Sequence, residues 1–336
     1  MVPLTFVLVI IAPFVAAYLL YRRIYPARYH ELLKIPGIKP MPLIGNFPDF
    51  YGISTADFAE KVWKAARTYG SPTKIVFGPQ INVLLSQAEH IEILAKNSKN
   101  ITKSDDYDFI VDWLGKGLLI STGSRWQTRR KQLTPAFHFQ ILKDFVPVFN
   151  EQSSILIDVI RNQIKNNSLE AFDISKSITA CTLDIICETA MGKQLNSQQC
   201  PSEYAKSLER FAAIALQRFQ SPFLRPNFIF HLTSTGRESN YHLNVLHDFT
   251  NSVIVERLKA RHSQDDAGKA HGSSSTEAIN DSSTSKKRRL AFLDMLFELK
   301  DQNKLTHEEI REEVDTFMFE VLLDAQRQHR YTTCSI

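Results

Sequence analysis

Trp126 and Arg130 stand four residues apart in Ser124 to Leu133, a segment whose pattern predicts a helix. At that spacing the two side chains share one helix face. An indole N–H and a guanidinium on one face can donate to the same carboxylate, the guanidinium bidentately. The chemistry on offer is the anchoring of an anionic ligand. Taken alone, the pair also fits a core tryptophan followed by a solvated arginine one turn on. A second candidate lies on the last predicted helix, where Ile310, Val314, Phe317, Met318 and Val321 form an apolar stripe with Glu320 at its edge. Glu320 reads either as a solvated flank carboxylate or as a group facing a ligand held against that stripe.

Other chemistry is sparse. The four cysteines are Cys181, Cys187, Cys200 and Cys334, and no C-x-x-C occurs, which argues against a zinc ribbon or a thioredoxin-type site. Cys181 and Cys187 fall in an apolar helical pattern, so buried free thiols in a reducing compartment are expected. There is no P-loop and no G-x-S-x-G, and His307-Glu308-Glu309-Ile310-Arg311 only begins like H-E-x-x-H. A net charge of +4 is too small to argue for nucleic acid, so none is expected as a partner.

The elements that must position these residues follow from patterning. With 336 residues, 43% of them hydrophobic, the chain can bury a sizeable core, and its length leaves room for two domains. The 23% charged residues and 22 phenylalanines read as globular; the phenylalanines suit a pocket for a flat apolar ligand and equally a Phe-rich core. Asp57 to Tyr69 predicts a helix stopped by Gly70. Lys74–Phe77 and Ile81–Leu85 around Gly78-Pro79-Gln80 predict a β-hairpin. Ser86 and Glu89 predict a capping box opening a helix through Ala95, and Thr306 with Glu309 a second one opening the last helix. Between them, helices are expected over Ser124–Leu133, Leu142–Lys165, Ile174–Met191, Pro201–Phe219 and Tyr241–Arg261. No internal repeat is visible. The segment 264–289 is rich in Ser, Asp, Gly and Ala and predicts a mobile surface loop. Its closing Lys286-Lys287-Arg288-Arg289 reads as a solvated basic turn, with a nuclear signal as the alternative.

The N-terminus predicts a membrane anchor. Val2 to Leu20 carries no charge, and its nineteen residues would span about 28 Å as a helix. Arg22, Arg23 and Arg28 follow, placing the body on the cytosolic side. A cleaved signal peptide is the alternative, but it would need a basic stretch before the apolar run, and none precedes it. Three prolines and two glycines in Ile35–Asn46 then make a stiff connector.

Several segments together resemble the microsomal family-4 type of cytochrome P-450 monooxygenase. Trp126 to Phe139, WQTRRKQLTPAFHF, resembles the haem-side helix C, and Trp113 to Leu119 resembles the preceding loop that covers substrate. Thr182 to Gly192 resembles helix E, and Glu309 to Glu320, EIREEVDTFMFE, resembles the start of helix I, which crosses the haem. The anchor and the proline-rich hinge stand where microsomal members carry them. The resemblance implies a mainly α fold with a small β-sheet, the N-terminal part of the cytochrome P-450 fold behind a single transmembrane helix. It implies haem b as cofactor, with Trp126 and Arg130 on a propionate and Glu320 near a haem methyl, to which many family-4 enzymes form an ester. It implies Phe109, Trp113, Leu118, Leu119 and Phe317 along the substrate channel. It implies Arg129 and Lys131 on the surface that docks an acidic NADPH-dependent reductase. The implied activity is insertion of one oxygen atom of O2 into a lipophilic substrate, fatty-acid chains included, at the endoplasmic reticulum membrane.

The resemblance stops at Glu320. Val321-Leu322-Leu323-Asp324-Ala325 stand where the family has a glycine, a small or polar residue and an acid–Thr pair. Beyond them the family's E-x-x-R helix and its F-x-x-G-x-x-x-C-x-G loop, which supplies the thiolate, find no counterpart, and the segment around Cys334 lacks that loop's glycines. The expected organisation is an anchor over 1–21, a basic and proline-rich hinge over 22–50, an incomplete domain over 51–320 and a non-family tail over 321–336. On this reading the chain is a truncated form that neither oxidises substrate nor stays stably folded. A haem-free, membrane-anchored protein that binds lipids or partners is the alternative.

Overall fold

A computed structural model describes residues 27–97, 100–166, 172, 174–200, 202–221, 224–271 and 292–329. The expected anchor over Val2–Leu20, Cys334 and the basic run at Lys286 lie outside these residues. Among the described residues no helix is long and apolar enough to cross a membrane. The elements are α1 (Ala27–Leu32), α2 (Phe47–Phe50), α3 (Thr55–Tyr69), β1 (Thr73–Phe77), β2 (Gln80–Leu84), α4 (Ala88–Lys96), α5 (Asp108–Leu114), α6 (Gly123–Leu133) and α7 (Phe139–Asn166). They continue with α8 (Ser175–Ile186), α9 (Glu203–Gln220), α10 (Asn227–Leu232), α11 (Ser234–His271), α12 (Phe292–Asp301) and α13 (His307–His329). The fold is thus mainly helical, with one two-stranded sheet among the described residues.

Two compact units make up the chain. One holds the described residues through Ile101 together with Leu216–Phe230. Its antiparallel hairpin pairs Thr73 with Leu84 and Phe77 with Gln80, leaving Gly78-Pro79 as the turn. Phe47, Phe50, Ile75 and Phe77 form the core of this unit, with Phe58 at a ring-centroid distance of 5.0 Å from Phe50 and Phe219 at 5.7 Å from Phe77. The proline-rich connector lies along β1. Pro36 accepts from the Lys74 amide at 2.8 Å, and the buried Asn46 side chain accepts from the Val76 amide at 2.9 Å. Prolines lack donors but keep their carbonyls, so this segment can line a strand that ordinary sequence patterning would leave alone. Ser54 caps α3 by accepting from the Asp57 amide, and Gly70, at φ 83°, ends it. The capping box expected at Ser86 and Glu89 does not form. The helix starts later, at Ala88, and the Ser86 amide instead donates to the Ser71 hydroxyl at 3.0 Å.

The second unit holds Thr102–Ala215 and the described residues from His231 on. At its centre α13 lies against α8 and α11. Ile310, Val314 and Met318 are fully buried, together with Leu183, Met191, Leu246, Ile254, Leu293 and Phe297. The sequence predicts a single apolar stripe on α13. The structure also buries Glu312, Glu313, Asp315, Thr316 and Phe319, so this helix is enclosed all round and its polar residues must find partners inside. Its capping box forms as expected. The Thr306 hydroxyl accepts from the Glu309 amide at 3.2 Å, and the Glu309 carboxylate accepts from the Thr306 amide at 2.9 Å. Thr306→Ala is expected to cost about 1 kcal/mol of stability, read as a lower urea midpoint; an unchanged midpoint would show that the box does not hold the helix start.

Three other elements differ from expectation. The helix expected over Tyr241–Arg261 runs from Ser234 to His271, so the first residues of the segment read as a loop are helical; the rest of that segment, from 272, lies outside the described residues. A short helix, α5, precedes the glycines of the loop around Trp113. On α7, Phe139 (67% exposed), Leu142, Val146 and Phe149 follow one another at spacings of three and four and leave an apolar stripe in solvent.

Candidate haem-facing site

Neighbouring arginines on α6 point to different surroundings. Arg129 is only 4% exposed. Its Nη2 meets Glu309 Oε1 at 2.8 Å and its Nε meets Glu313 Oε1 at 3.0 Å, both on α13. Arg130 is exposed and meets no acid among the described residues. One turn before it, Trp126 is half-buried and, among the described residues, has neither a ring contact nor a hydrogen bond for its indole N–H. The helical repeat explains the split. Arg125 and Arg129 share one face, which the acids of α13 cover, and Trp126 and Arg130 share the next, which is left free.

Arg129 was expected on a reductase-docking surface, and the structure corrects this: it is a buried tether between α6 and α13. A guanidinium offers several N–H donors in a fixed fork, so it can serve two carboxylates at once. Lys131, its expected companion, remains exposed.

The acids of α13 also hold the loop after α5. Glu312 accepts from the Lys116 amide at 2.9 Å and pairs with Arg125 at 3.2 Å. Glu313, fully buried, accepts from the Leu118 amide at 3.1 Å. Gly115 and Gly117 are required here, because a Cβ at either would fall well inside contact distance of Glu312 or Thr316. Burial pushes the Glu313 carboxyl up to about 7, against the opposing pull of the Leu118 amide and Arg129. Burial acts on Glu309 in the same sense, yet the Thr306 amide and Arg129 together hold it below the usual carboxylate range.

Deeper in the unit, Asp315 is fully buried. Its Oδ1 lies 2.6 Å from the Thr250 hydroxyl, which in turn lies 3.1 Å from the Leu246 carbonyl. Burial raises the Asp315 carboxyl to about 7. His247 sits at 3.9 Å from Oδ2 and shares a 3.0 Å hydrogen bond with the Trp113 carbonyl; burial lowers its imidazole pKa, so the neutral ring is the donor.

The expected channel residues divide. Trp113 is 1% exposed and packs edge-on against Phe211 and Phe319 at 5.6 and 5.2 Å, so it belongs to the core and lines no channel. Leu118 and Leu119 are half-buried against that core. Phe109 is half-buried on α5. Phe317 is half-buried and already covered, stacked on Phe137 at 5.1 Å and edge-on to Phe292 at 4.4 Å. Glu320 is half-buried on α13, two turns beyond Glu313.

The residues present fit one edge of a haem. A half-buried indole and a guanidinium that meets no acid among the described residues, on one helix face, suit a propionate. They do not fit an axial thiolate. Cys181 and Cys187 are buried in α8 and the π-turn that follows it, where burial raises the first thiol to about 11 and the second further still, so both stay protonated. Cys200 is exposed and lies on neither α6 nor α13. A cavity of about 560 Å³ opens elsewhere in this unit, lined by Phe145, Glu188, Lys193, Glu256 and Arg257 among others. Its charged groups are already engaged, Lys193 with Glu256 at 2.5 Å and Arg257 with Asp294 at 2.6 Å.

The acid–arginine network escaped sequence reasoning, although its signal was present. Arg125 and Arg129 at i, i+4 and Glu309, Glu312 and Glu313 at i, i+3, i+4 are two faces of opposite charge.

The cytochrome P450 family profile matches residues 35–321. Cytochrome P450 4V2 of Rattus norvegicus is 40% identical over 302 residues, covering 88% of this chain and 55% of the relative. The human protein of that name is 39% identical over 307 residues with the same coverages. Cytochrome P450 4c3 of Drosophila melanogaster is 39% identical over 311 residues, covering 90% of this chain and 57% of the relative. The chain thus spans little more than half the length of these relatives, all of the family-4 type. A profile match over most of the length and this level of identity place the chain in the cytochrome P450 family.

Proposed function

We propose that α6 holds the propionate edge of haem b through Trp126 and Arg130, with α13 running across the haem and Glu320 beside it. The observation that carries this reading is the divergence of the two arginines. Arg129 is buried and paired, whereas Arg130 is exposed beside an indole N–H that has no partner among the described residues. The activity this arrangement would serve is the family's haem-dependent monooxygenation of lipophilic substrates, fatty-acid chains included. A reductase would supply electrons at the endoplasmic reticulum membrane, with Val2–Leu20 as anchor and exposed Lys131 as a docking contact.

Bound haem with a cysteine thiolate activates dioxygen in this family. The described cysteines are not placed for that role, so no oxidative step follows from them. At Val321–Ala325 the small residue and the acid–Thr pair are replaced. We therefore propose that the chain takes up haem but does not itself oxidise substrate. The uncovered stripe on α7 supports a tendency to aggregate when the chain stands alone.

Haemin titrated into the detergent-solubilised full chain should give a saturable Soret band. Its reduced carbon monoxide complex should lack the thiolate-type band, and added reductase, NADPH and fatty acid should yield no hydroxylated product. A thiolate-type band with turnover would overturn the inactive reading and implicate Cys334. Failure to bind haem would overturn the haem-holding role and favour a haem-free binding protein.

A further inference from the structure

Two adjacent carboxylates of α13 are shared in the same way. Glu312 gives one oxygen to the Lys116 amide and the other to Arg125; Glu313 gives one to the Leu118 amide, and its other oxygen lies 3.0 Å from Arg129 Nε as an ion pair without hydrogen-bond geometry. Each therefore joins the loop after α5 to α6 through a single side chain of α13. The loop is gripped only by its backbone: the Lys116 and Leu118 amides donate to α13, and the Lys116 carbonyl accepts from Arg125 Nε at 3.3 Å. Gly115 and Gly117 allow the close approach, while the Leu118 side chain takes no part in the bonding.

We infer that Arg129 and Glu313 are a positioning pair: they set α6, and so Trp126 and Arg130, in register with α13 and fix the Gly115–Leu119 loop to the same point. This rests on the reading of α6 as the haem-holding helix. The pair is the innermost part of the network. Arg129 is 5% exposed and Glu313 0% by side chain, whereas Arg125 is 40% exposed. Solvent cannot replace a lost partner at the inner pair. Arg129 spans Glu309 and Glu313 and also reaches Gln132 Oε1 at 3.5 Å. A lysine ammonium presents a point charge without the planar fork, so it would not reproduce this set. Any ligand that displaces Leu118 must disturb the carboxylate that holds Arg129, so loop order and haem-edge geometry are linked.

Amide hydrogen exchange over Lys116–Ile120 in the haem-free chain, paired with Soret titration, tests this. Arg129→Ala is expected to speed exchange in that loop by about tenfold or more and to weaken haem binding, and Arg129→Lys should not rescue either property. Arg130→Ala should weaken haem binding while leaving loop exchange unchanged. If Arg129→Ala does not fold, as judged by circular dichroism, Glu313→Gln keeps the side-chain shape, removes the charge and should speed the loop in the same way. Unchanged loop exchange in whichever of these variants folds would overturn the positioning role. Absence of haem binding by the unaltered chain would instead defeat the haem-helix reading, and the loop measurement would still decide the pair.

Discussion

Asp315→Asn is expected to make the protein more stable than the parent at pH 8, by roughly 4 kcal/mol, with the difference vanishing only below about pH 4. The argument begins with counting protons. The Thr250 hydroxyl has one hydrogen and two close acceptors, the Leu246 carbonyl at 3.1 Å and Asp315 Oδ1 at 2.6 Å. If Asp315 is ionised, Thr250 can serve only one of them. If Asp315 carries a proton, it donates to Thr250 and Thr250 donates to Leu246, so both bonds are made. Burial favours the same neutral form and raises the carboxyl from 3.8 to about 7. A carboxyl whose folded pKa is raised binds its proton more tightly in the native state. Between about pH 4 and 7 the native chain holds that proton and the unfolded chain does not, so this group's contribution to stability falls as pH rises through the window and is flat above it. His247 acts in the opposite sense below its ordinary pKa, because burial disfavours its charged form. The difference between variant and parent largely removes that background. Urea unfolding of both proteins from about pH 4 to 8 measures it. A variant less stable than the parent at pH 8 would show that Asp315 is needed as an anion.

Trp113→Ala is expected to cost roughly 3–5 kcal/mol, the usual range for removing a large aromatic from a core. The indole is almost fully enclosed and meets Phe211 and Phe319 edge-on, and its carbonyl holds His247. The loss should appear as a large fall in the urea midpoint of the haem-free chain. A channel residue would affect ligand binding with little change in that midpoint, and this second pattern would contradict the core assignment.

These two residues show where the sequence was legible and where it was not. Trp113 lies in a stretch that resembles a family segment, but a tryptophan beside glycines reads equally as a lid or as a core anchor. Only the packing of Phe211 and Phe319 around it decides, and those partners are about a hundred and two hundred residues away. The hairpin, the Gly70 stop and the Thr306–Glu309 box were legible because each depends on neighbours within a few residues. The box at Ser86 failed because a distant hydroxyl, that of Ser71, competes for the Ser86 amide. Arg129 was misread for a related reason. A run of basic residues on a polar helix suggests a solvated face, and nothing local reveals that α13 brings Glu309 and Glu313 against it. The polar burial of α13 was hidden likewise, since Glu313 and Asp315 on a helix ordinarily mark its wet side.

The central claim is that Trp126 and Arg130 grip a haem propionate. Comparing the affinity of the solubilised full chain for haem and for haem dimethyl ester, which lacks the propionate charges, tests it most directly. The free form should bind at least about tenfold more tightly, as a lost charge-assisted pair implies, and Arg130→Ala should remove most of that preference. Equal affinity for the two forms in the unaltered chain, or a preference that survives in Arg130→Ala, would contradict the claim.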